Sequence, residues 1–132
     1  MNALADRLEI ADLFAELARV LDEGTPDELR NVYAKDIVVQ SPRGGEIHGI
    51  DDVVAYVAAS ADAKTQHLHG NIVVTVDGDR AEASATQLAF FFHEGAAPHH
   101  RVGLNAKYTA VRTPAGWRFD RANIFLVWQE EV

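Results

Sequence analysis

The chain has 132 residues, of which 48% are hydrophobic and 24% are charged, and it contains no cysteine. This composition is typical of a globular protein, so we expect residues 1–132 to form one domain. The net charge of −8 argues against nucleic acid or an anionic membrane surface as a partner, because both require a basic patch. The absence of cysteine excludes disulfides and thiolate metal sites and fits a cytoplasmic protein. The apolar runs are too short for a membrane span, and the N-terminal residues lack the features of a secretory signal.

Two helix patterns open the chain. Apolar residues recur every three to four positions over residues 4–21, which predicts an amphipathic helix, and Gly24 predicts a left-handed cap after it. Thr25 and Glu28 have the spacing of a capping box, with proline between them at the first helical position. They predict a second short helix over residues 26–33.

A strand, a turn and a third helix come next. Residues 37–40 predict a strand, residues 46–49 a brief extended piece, and the acidic pair Asp51 and Asp52 the start of a helix that ends near residue 61. Four long strand patterns follow, at about residues 65–77, 79–94, 100–113 and 116–129. Because their connections are short, consecutive strands should be antiparallel neighbours in a meander. Helices first and sheet second is an α+β pattern.

Polar residues interrupt the start of the first long strand. His67, His69 and Asn71 alternate, so an unbroken strand would place all three on one face. A strand glycine often marks a bulge, so Gly70 leaves the positions of His69 and Asn71 open. Asp22 lies in the last turn of the first helix, where a carboxylate opposes the helix dipole at a cost of about 0.3–1 kcal/mol, so it should have a compensating partner.

The later strands are apolar on both faces. Three consecutive phenylalanines, at positions 90–92, cannot share a face, and Phe91 should lie on the same side as Gln87 and His93. The last strand alternates in the same way around Phe125. A sheet with two apolar faces predicts a covered outer face and hence a homodimer through the sheet. His99 and His100 are interpreted as solvated loop residues, and we predict no metal site because no carboxylate recurs at ligand spacing.

The order of elements and seven short segments resemble the SnoaL-like family of the nuclear transport factor 2-like (cystatin-like) superfamily, which is related to scytalone dehydratase. The segments are residues 9–14, 21–24, 33–39, 47–53, 65–71, 76–81 and 116–119. The resemblance implies a cone in which three N-terminal helices pack on a strongly curved antiparallel sheet and leave an apolar pocket. It also implies a catalytic histidine in a Thr-Gln-His segment and an aspartate before the second helix, which fall at His67 and Asp22.

Other residues of the scytalone dehydratase site have weaker counterparts. Its carbonyl-polarising tyrosines fall near Leu21 and Gln40, neither of which is tyrosine. Its second histidine falls at Phe92 or His93, and its asparagine falls near Asn105 or Ala106. The resemblance therefore implies half of that constellation.

These observations lead to one favoured function and two alternatives. We expect a cofactor-independent dehydratase or isomerase that binds a small apolar or aromatic molecule, with His67 as acid–base and Asp22 as its orienter. The alternatives are a non-catalytic ligand-binding or accessory domain, and a structural partner subunit resembling the small subunit of ring-hydroxylating dioxygenases. The predicted ligand contacts are Phe14, Leu21, Gln40, Tyr56, Asn71, Phe91, His93, Asn105 and Phe125.

Overall fold

Three helices and six strands make up the part of the chain that the computed structural model describes, residues 2–60 and 63–132. In chain order they are α1 (Ala3–Glu23), a 3-10 helix (Pro26–Asn31), β1 (Tyr33–Ser41), β2 (Gly45–His48), α2 (Ile50–Ala59), β3 (Lys64–Asp77), β4 (Arg80–Phe92), β5 (His100–Thr113) and β6 (Gly116–Glu131). None of these helices has both the length and the apolarity needed to cross a bilayer.

Both ends of α1 are set by local hydrogen bonds. Asn2 Oδ1 accepts from the backbone N–H of Leu4 at 3.0 Å, and the backbone N–H of Gly24 donates to the Val20 carbonyl at 3.1 Å. The left-handed cap predicted at Gly24 is wrong, because its φ is −93°. Glycine is required there for space instead, since a Cβ would lie 2.9 Å from Glu28 Oε1 and 2.9 Å from Val20 Cα.

The second helix is shorter than predicted, and the third begins one or two residues earlier than predicted. The capping box forms, with the Thr25 backbone N–H donating to Glu28 Oε1 at 2.9 Å, but the helix is of the 3-10 type and ends at Asn31. β1 begins at Tyr33 rather than residue 37, because Tyr33 pairs with Phe119 of β6. The helix predicted to end near residue 61 runs over Ile50–Ala59, and residue 61 lies outside the described residues.

The six strands form one curved sheet in the order β2-β1-β6-β5-β4-β3. The predicted antiparallel meander of β3 to β6 is confirmed. The prediction of a wholly antiparallel sheet is wrong, because β1 pairs with β6 in parallel. The long stretch of chain between β1 and β6 leaves their relative direction unconstrained, unlike a hairpin. Two helices precede the sheet, and the third follows β2.

The hydrophobic core lies between α1 and the concave face of the sheet, the face that the helices cover. One stripe of α1 supplies much of it. Its largest fully buried side chains are Trp117, Phe14, Phe119, Ile10, Leu17, Leu29, Ile37 and Val32. On the strands, inward residues alternate with outward ones, so the phase of each strand decides which side chains reach the concave face.

An ion pair links the start of α1 to the C-terminal end of β5. Arg112 donates to both carboxylate oxygens of Asp6 at 3.0 Å, and Trp117 Nε1 donates to Asp6 Oδ1 at 3.2 Å. The Arg112 guanidinium also lies 4.7 Å from the centre of the Trp117 ring. The hydrogen bonds from Arg112, and then that from Trp117, hold the pKa of Asp6 below its ordinary value of 3.8.

This lowered pKa predicts a loss of stability in acid. A carboxyl group whose pKa is lowered by folding stabilises the protein above its unfolded pKa, and that contribution is lost as the pH falls through the folded pKa. Asp6→Asn should therefore lower the urea midpoint near neutral pH. The difference in urea midpoint between the variant and the parent protein should become smaller below about pH 4. Asp79→Asn is the matched control, because Asp79 also bonds Arg112 but its side chain is 74% exposed. An equal difference in urea midpoint at both pH values would contradict a stabilising role of the ionised Asp6 carboxylate.

Candidate functional site

Two adjoining cavities open on the concave side of the sheet, and both are lined by Tyr56, His67 and Phe91. The first, here called the sheet cavity, has a volume of about 390 Å³. Its other lining residues are Ser41, Pro42, Arg43, Gln87, Ala89, His100, Val102, Leu104, Ile124, Leu126 and Gln129. The second, here called the helix cavity, has a volume of about 340 Å³ and lies beside the end of α1 and the last turns of α2. Both volumes are at the lower end of the range for small-molecule sites, which is about 300–1,000 Å³.

A further groove of about 330 Å³ lies on the opposite, convex face of the sheet, beside Glu82 and Lys107. No histidine is among the described residues that line it. We therefore place the candidate site on the concave side.

Asp22 and His67 meet at the junction of the two cavities. Asp22 Oδ1 lies 2.7 Å from His67 Nδ1, and Asp22 Oδ2 accepts from the His67 backbone N–H at 2.7 Å. Thr65 Oγ1 also donates to Asp22 Oδ1, at 3.0 Å. The carboxylate at the end of α1 thus has the compensating partners that its position opposite the helix dipole requires, all of them on β3.

This contact fixes the orientation of the His67 ring. A carboxylate can only accept, so Nδ1 carries the proton and Nε2 has a free lone pair when the ring is neutral. Nε2 makes no hydrogen bond to any residue in the described part of the chain, and the His67 side chain is 11% exposed. The arrangement leaves a basic nitrogen available to a molecule in either cavity.

His69 lies on the same face of β3 as His67, but its ring contacts other side chains of the protein. Its Nε2 lies 3.2 Å from Gln87 Oε1, and its ring packs 5.4 Å from that of Phe14. Desolvation lowers the pKa of His69, so its ring is neutral near pH 7. This bond occupies the Gln87 oxygen, while the Gln87 side chain as a whole also lines the sheet cavity.

A second histidine, His100, is part of the wall of the sheet cavity. It is 5% exposed, and its ring packs 5.3 Å from that of Phe91. The prediction that His100 is solvated is wrong, because β5 begins at this residue and turns the side chain inward, in phase with Val102 and Leu104. That alternation was visible in the sequence and was the signal that the loop interpretation missed.

The family follows from the sequence match. A family model described as a SnoaL-like domain matches residues 2–123. The chain belongs to the SnoaL-like family. A search of curated proteins finds no significant match.

Solved structures share the SnoaL-like fold over almost the whole chain. The Kfla4162 protein from Kribbella flavida superposes with a TM-score of 0.89 at 27% identity, covering 98% of this chain and 95% of that one. A candidate scytalone dehydratase from Novosphingobium aromaticivorans has a TM-score of 0.87 at 19% identity, covering 98% and 89%. A hexachlorocyclohexane dehydrochlorinase, LinA Type2, has a TM-score of 0.85 at 16% identity, covering 98% and 90%. At these last two identities the likeness concerns the fold.

Three of the predicted ligand contacts of this SnoaL-like domain lie at the cavities. Tyr56 and Phe91 line both, and Leu21 lines the helix cavity. Phe14, by contrast, is 0% exposed and packs between the rings of Tyr108 and Phe119, so it belongs to the core.

Two further predicted contacts, Asn71 and Gln40, lie on strands that direct their side chains away from the cavities. The register of β3 shifts between Gly70 and Val73, and Asn71 at the shift has a φ of +50°. Asn71 is therefore exposed, and its Nδ2 donates to Thr86 Oγ1 at 3.3 Å instead of reaching a cavity. Gln40 lies on β1 between Val39 and Ser41, whose side chains point inward, so Gln40 faces the other side of the sheet.

The remaining three contacts also point away from the cavities. Asn105 and Phe125 are register partners, and both lie on the convex face. His93 is exposed because β4 ends one residue before it, and its ring stacks on His99 at 4.7 Å. Six predicted contacts are therefore corrected, because they line neither cavity: Phe14, Gln40, Asn71, His93, Asn105 and Phe125.

The SnoaL-like site has no cluster of metal ligands. No group of three or more histidine, cysteine, aspartate or glutamate side chains converges within residues 2–60 and 63–132. In the described wall of the sheet cavity, four polar residues besides His100 were not predicted as ligand contacts: Ser41, Arg43, Gln87 and Gln129. Ser41 and Arg43 were assigned to a turn, and Gln129 was taken as the end of the last strand.

Proposed function

We propose that this SnoaL-like domain is a cofactor-independent lyase or isomerase that acts on a small, largely apolar molecule. The observation that carries the proposal is the double contact of Asp22 with His67, at the ring nitrogen and at the backbone, each at 2.7 Å. A carboxylate held in this way orients the ring and stabilises the imidazolium that forms when Nε2 accepts a proton.

The reaction begins with removal of a proton from carbon. His67 Nε2 takes a proton from a carbon activated by a neighbouring carbonyl or halogen-bearing carbon, and the C–H electron pair becomes the second bond of a C=C unit. The leaving group on the next carbon departs with its bonding pair. When that group is a hydroxyl, the imidazolium returns the proton to it and water is released. When the leaving group is a halide, it departs as the anion and the imidazolium then releases its proton to solvent. In an isomerisation no group leaves: the C–H electron pair is held in a conjugated enolate, the proton returns to a different carbon, and the ring is again neutral.

The solved relatives support a reaction of this class. One is named as a dehydrochlorinase of hexachlorocyclohexane and another as a candidate scytalone dehydratase. Dehydratase and dehydrochlorinase both name the elimination of a small group, and hexachlorocyclohexane is a ring-shaped molecule. The walls of the sheet cavity, which are largely apolar around Ala89, Val102 and Leu126, suit a substrate of that shape.

Proton exchange at carbon tests the proposal without knowledge of the natural substrate. We expect the protein to accelerate the exchange of the α-protons of 2-tetralone in D2O, followed by proton NMR. Asp22→Asn should lower this rate by about 100-fold, because an amide is neutral and its nitrogen does not accept from Nδ1–H. Asp27→Asn is the control, since the Asp27 side chain is 75% exposed and lies on the 3-10 helix. Equal rates for Asp22→Asn and the parent protein would contradict the proposal.

A non-catalytic ligand-binding domain is the second candidate. It is favoured by the absence of tyrosine at Leu21 and Gln40, which leaves Tyr56 as the one phenol in the described walls of the two cavities. Ligand binding without any proton exchange in the parent protein would select this function.

We further propose that the protein forms a homodimer through the convex face of the sheet and acts in the cytoplasm. Large apolar side chains gather on that face: Leu68 is 58% exposed, Phe125 48% and Trp128 45%. The strand register aligns Leu68 with Leu88, Gly103 and then Trp128 across four strands. A continuous apolar surface of this kind is typical of a subunit interface.

A charge in this surface should separate the subunits. We expect Phe125→Glu to weaken the dimer by about 30-fold or more in sedimentation equilibrium, because it buries an unpaired carboxylate in the interface. Leu8→Glu is the control, since Leu8 is 59% exposed on α1, away from the convex face. A parent protein that sediments as a monomer would contradict the proposed dimer.

A further inference from the structure

His100 has no hydrogen-bond partner although it is buried. Neither its Nδ1 nor its Nε2 makes a hydrogen bond to any residue that the structure describes, and both atoms are buried. The Glu131 carboxylate lies nearby, but its Oε1 is 3.6 Å from Nδ1, and its side chain is 78% exposed. This distance is longer than a hydrogen bond.

Such a side chain is unusual in a protein interior. Buried polar groups are almost always paired, and a neutral imidazole has one donor and one acceptor to satisfy. A phenylalanine would fill the space beside Phe91 without leaving these groups unpaired. Because His100 is part of the wall of the sheet cavity, a molecule in that cavity can supply the missing partner.

The strand register gives the position of His100 relative to His67. His67 is paired with Ala89 of β4, and His100 is paired with Phe91, two residues further along the same strand. The two histidines therefore lie two strands and two residues apart, which puts their Cα atoms about 12 Å from each other. Apolar side chains, including those of Ala89 and Val102, lie between them.

We propose that His100 binds an oxygen atom of the ligand, at the opposite end of the sheet cavity from the carbon that reacts at His67. The ligand class is then an aromatic or alicyclic molecule with a hydroxyl or carbonyl group at the His100 end and the reacting group at the His67 end. His100 determines which substrates are bound. This inference rests on the proposed function for the role of His67, but the contact at His100 concerns binding alone.

Paired ligands that differ by one hydroxyl group test this contact. The probes are 2-naphthol and naphthalene, with dissociation constants measured by titration of the protein's fluorescence or by calorimetry. The parent protein should bind 2-naphthol about 5- to 10-fold more tightly than naphthalene. In His100→Phe this ratio should fall to about twofold or less, because the hydroxyl group then has no hydrogen-bond partner at residue 100. His100→Gln keeps a donor and an acceptor and should retain part of the preference.

A spectroscopic readout reports the contact directly. The ring nitrogens of His100 should shift in two-bond proton–nitrogen spectra when 2-naphthol is added. His99→Phe is the matched control, because His99 is exposed and lies outside both cavities. It should keep the parent ratio.

Three results would overturn the inference: an unchanged ratio in His100→Phe, unshifted His100 nitrogens, or no binding of 2-naphthol up to about 1 mM. The proposed function fails separately. A parent protein that shows no exchange with 2-tetralone, yet prefers 2-naphthol to naphthalene through His100, would retain the ligand assignment and lose the catalytic one.

Discussion

His67→Gln should reduce the α-proton exchange rate of 2-tetralone by about 10²–10⁴-fold, the range that a general acid–base group contributes. The reason is that glutamine has no basic nitrogen at the junction of the two cavities. The Asp22 carboxylate would still accept from the backbone N–H of residue 67, so the end of α1 should stay attached to β3. The measurement is the initial exchange rate in D2O by proton NMR, at protein concentrations checked by absorbance.

Two comparisons separate lost chemistry from lost structure. The urea midpoint of His67→Gln should stay close to that of the parent protein, and 2-naphthol should still bind. His99→Gln, which changes an exposed histidine outside the cavities, should keep the parent exchange rate. If His67→Gln retained the parent rate, another base would have to perform the exchange and the role of His67 would be refuted.

Phe14→Ala should destabilise the protein by about 3–5 kcal/mol, the range for deleting a buried aromatic ring. Phe14 is 0% exposed, and its ring centre lies 4.9 Å from that of Phe119 and 5.3 Å from that of Tyr108. The deletion removes apolar burial and leaves a cavity that the rigid sheet beneath it cannot close. Chemical unfolding in urea, followed by fluorescence, measures the change in the free energy of unfolding.

Leu8→Ala is the matched control on the same helix. Leu8 is 59% exposed, and surface substitutions usually change stability by less than about 0.5 kcal/mol. If Phe14→Ala changed stability as little as Leu8→Ala does, the assignment of Phe14 to the core would be wrong.

The sequence was sufficient to predict the elements whose local pattern agrees with the fold. The helical spacing of α1 and the short turns between β3 and β6 fixed most of the architecture, because neither depends on distant contacts. The parallel pairing of β1 with β6 was not predictable in this way. The two strands are far apart in the chain, and no turn determines their relative direction.

The same distinction between local sequence pattern and contacts distant in the chain applies to the candidate site. His67 and Asp22 were predicted to meet on the basis of a family resemblance together with the unfavourable position of a carboxylate at a helix end. Asn71 was wrongly predicted to contact the ligand, because one irregularity in β3 reverses the facing of every later residue in that strand. The structure reverses the predictions for His93 and His100, because the end of β4 and the start of β5 decide which of the two histidines points inward. Such boundaries depend on tertiary pairing rather than on local sequence.

The protonation of the His67 ring tests the central claim most directly. In nitrogen NMR spectra at a pH where the ring is neutral, we predict that Nδ1 of His67 is protonated and that Nε2 is not, with the Nδ1 proton held by Asp22. In Asp22→Asn this single tautomer should be lost. A neutral His67 ring with the proton on Nε2 in the parent protein would contradict the account, because no basic nitrogen would then face the cavities.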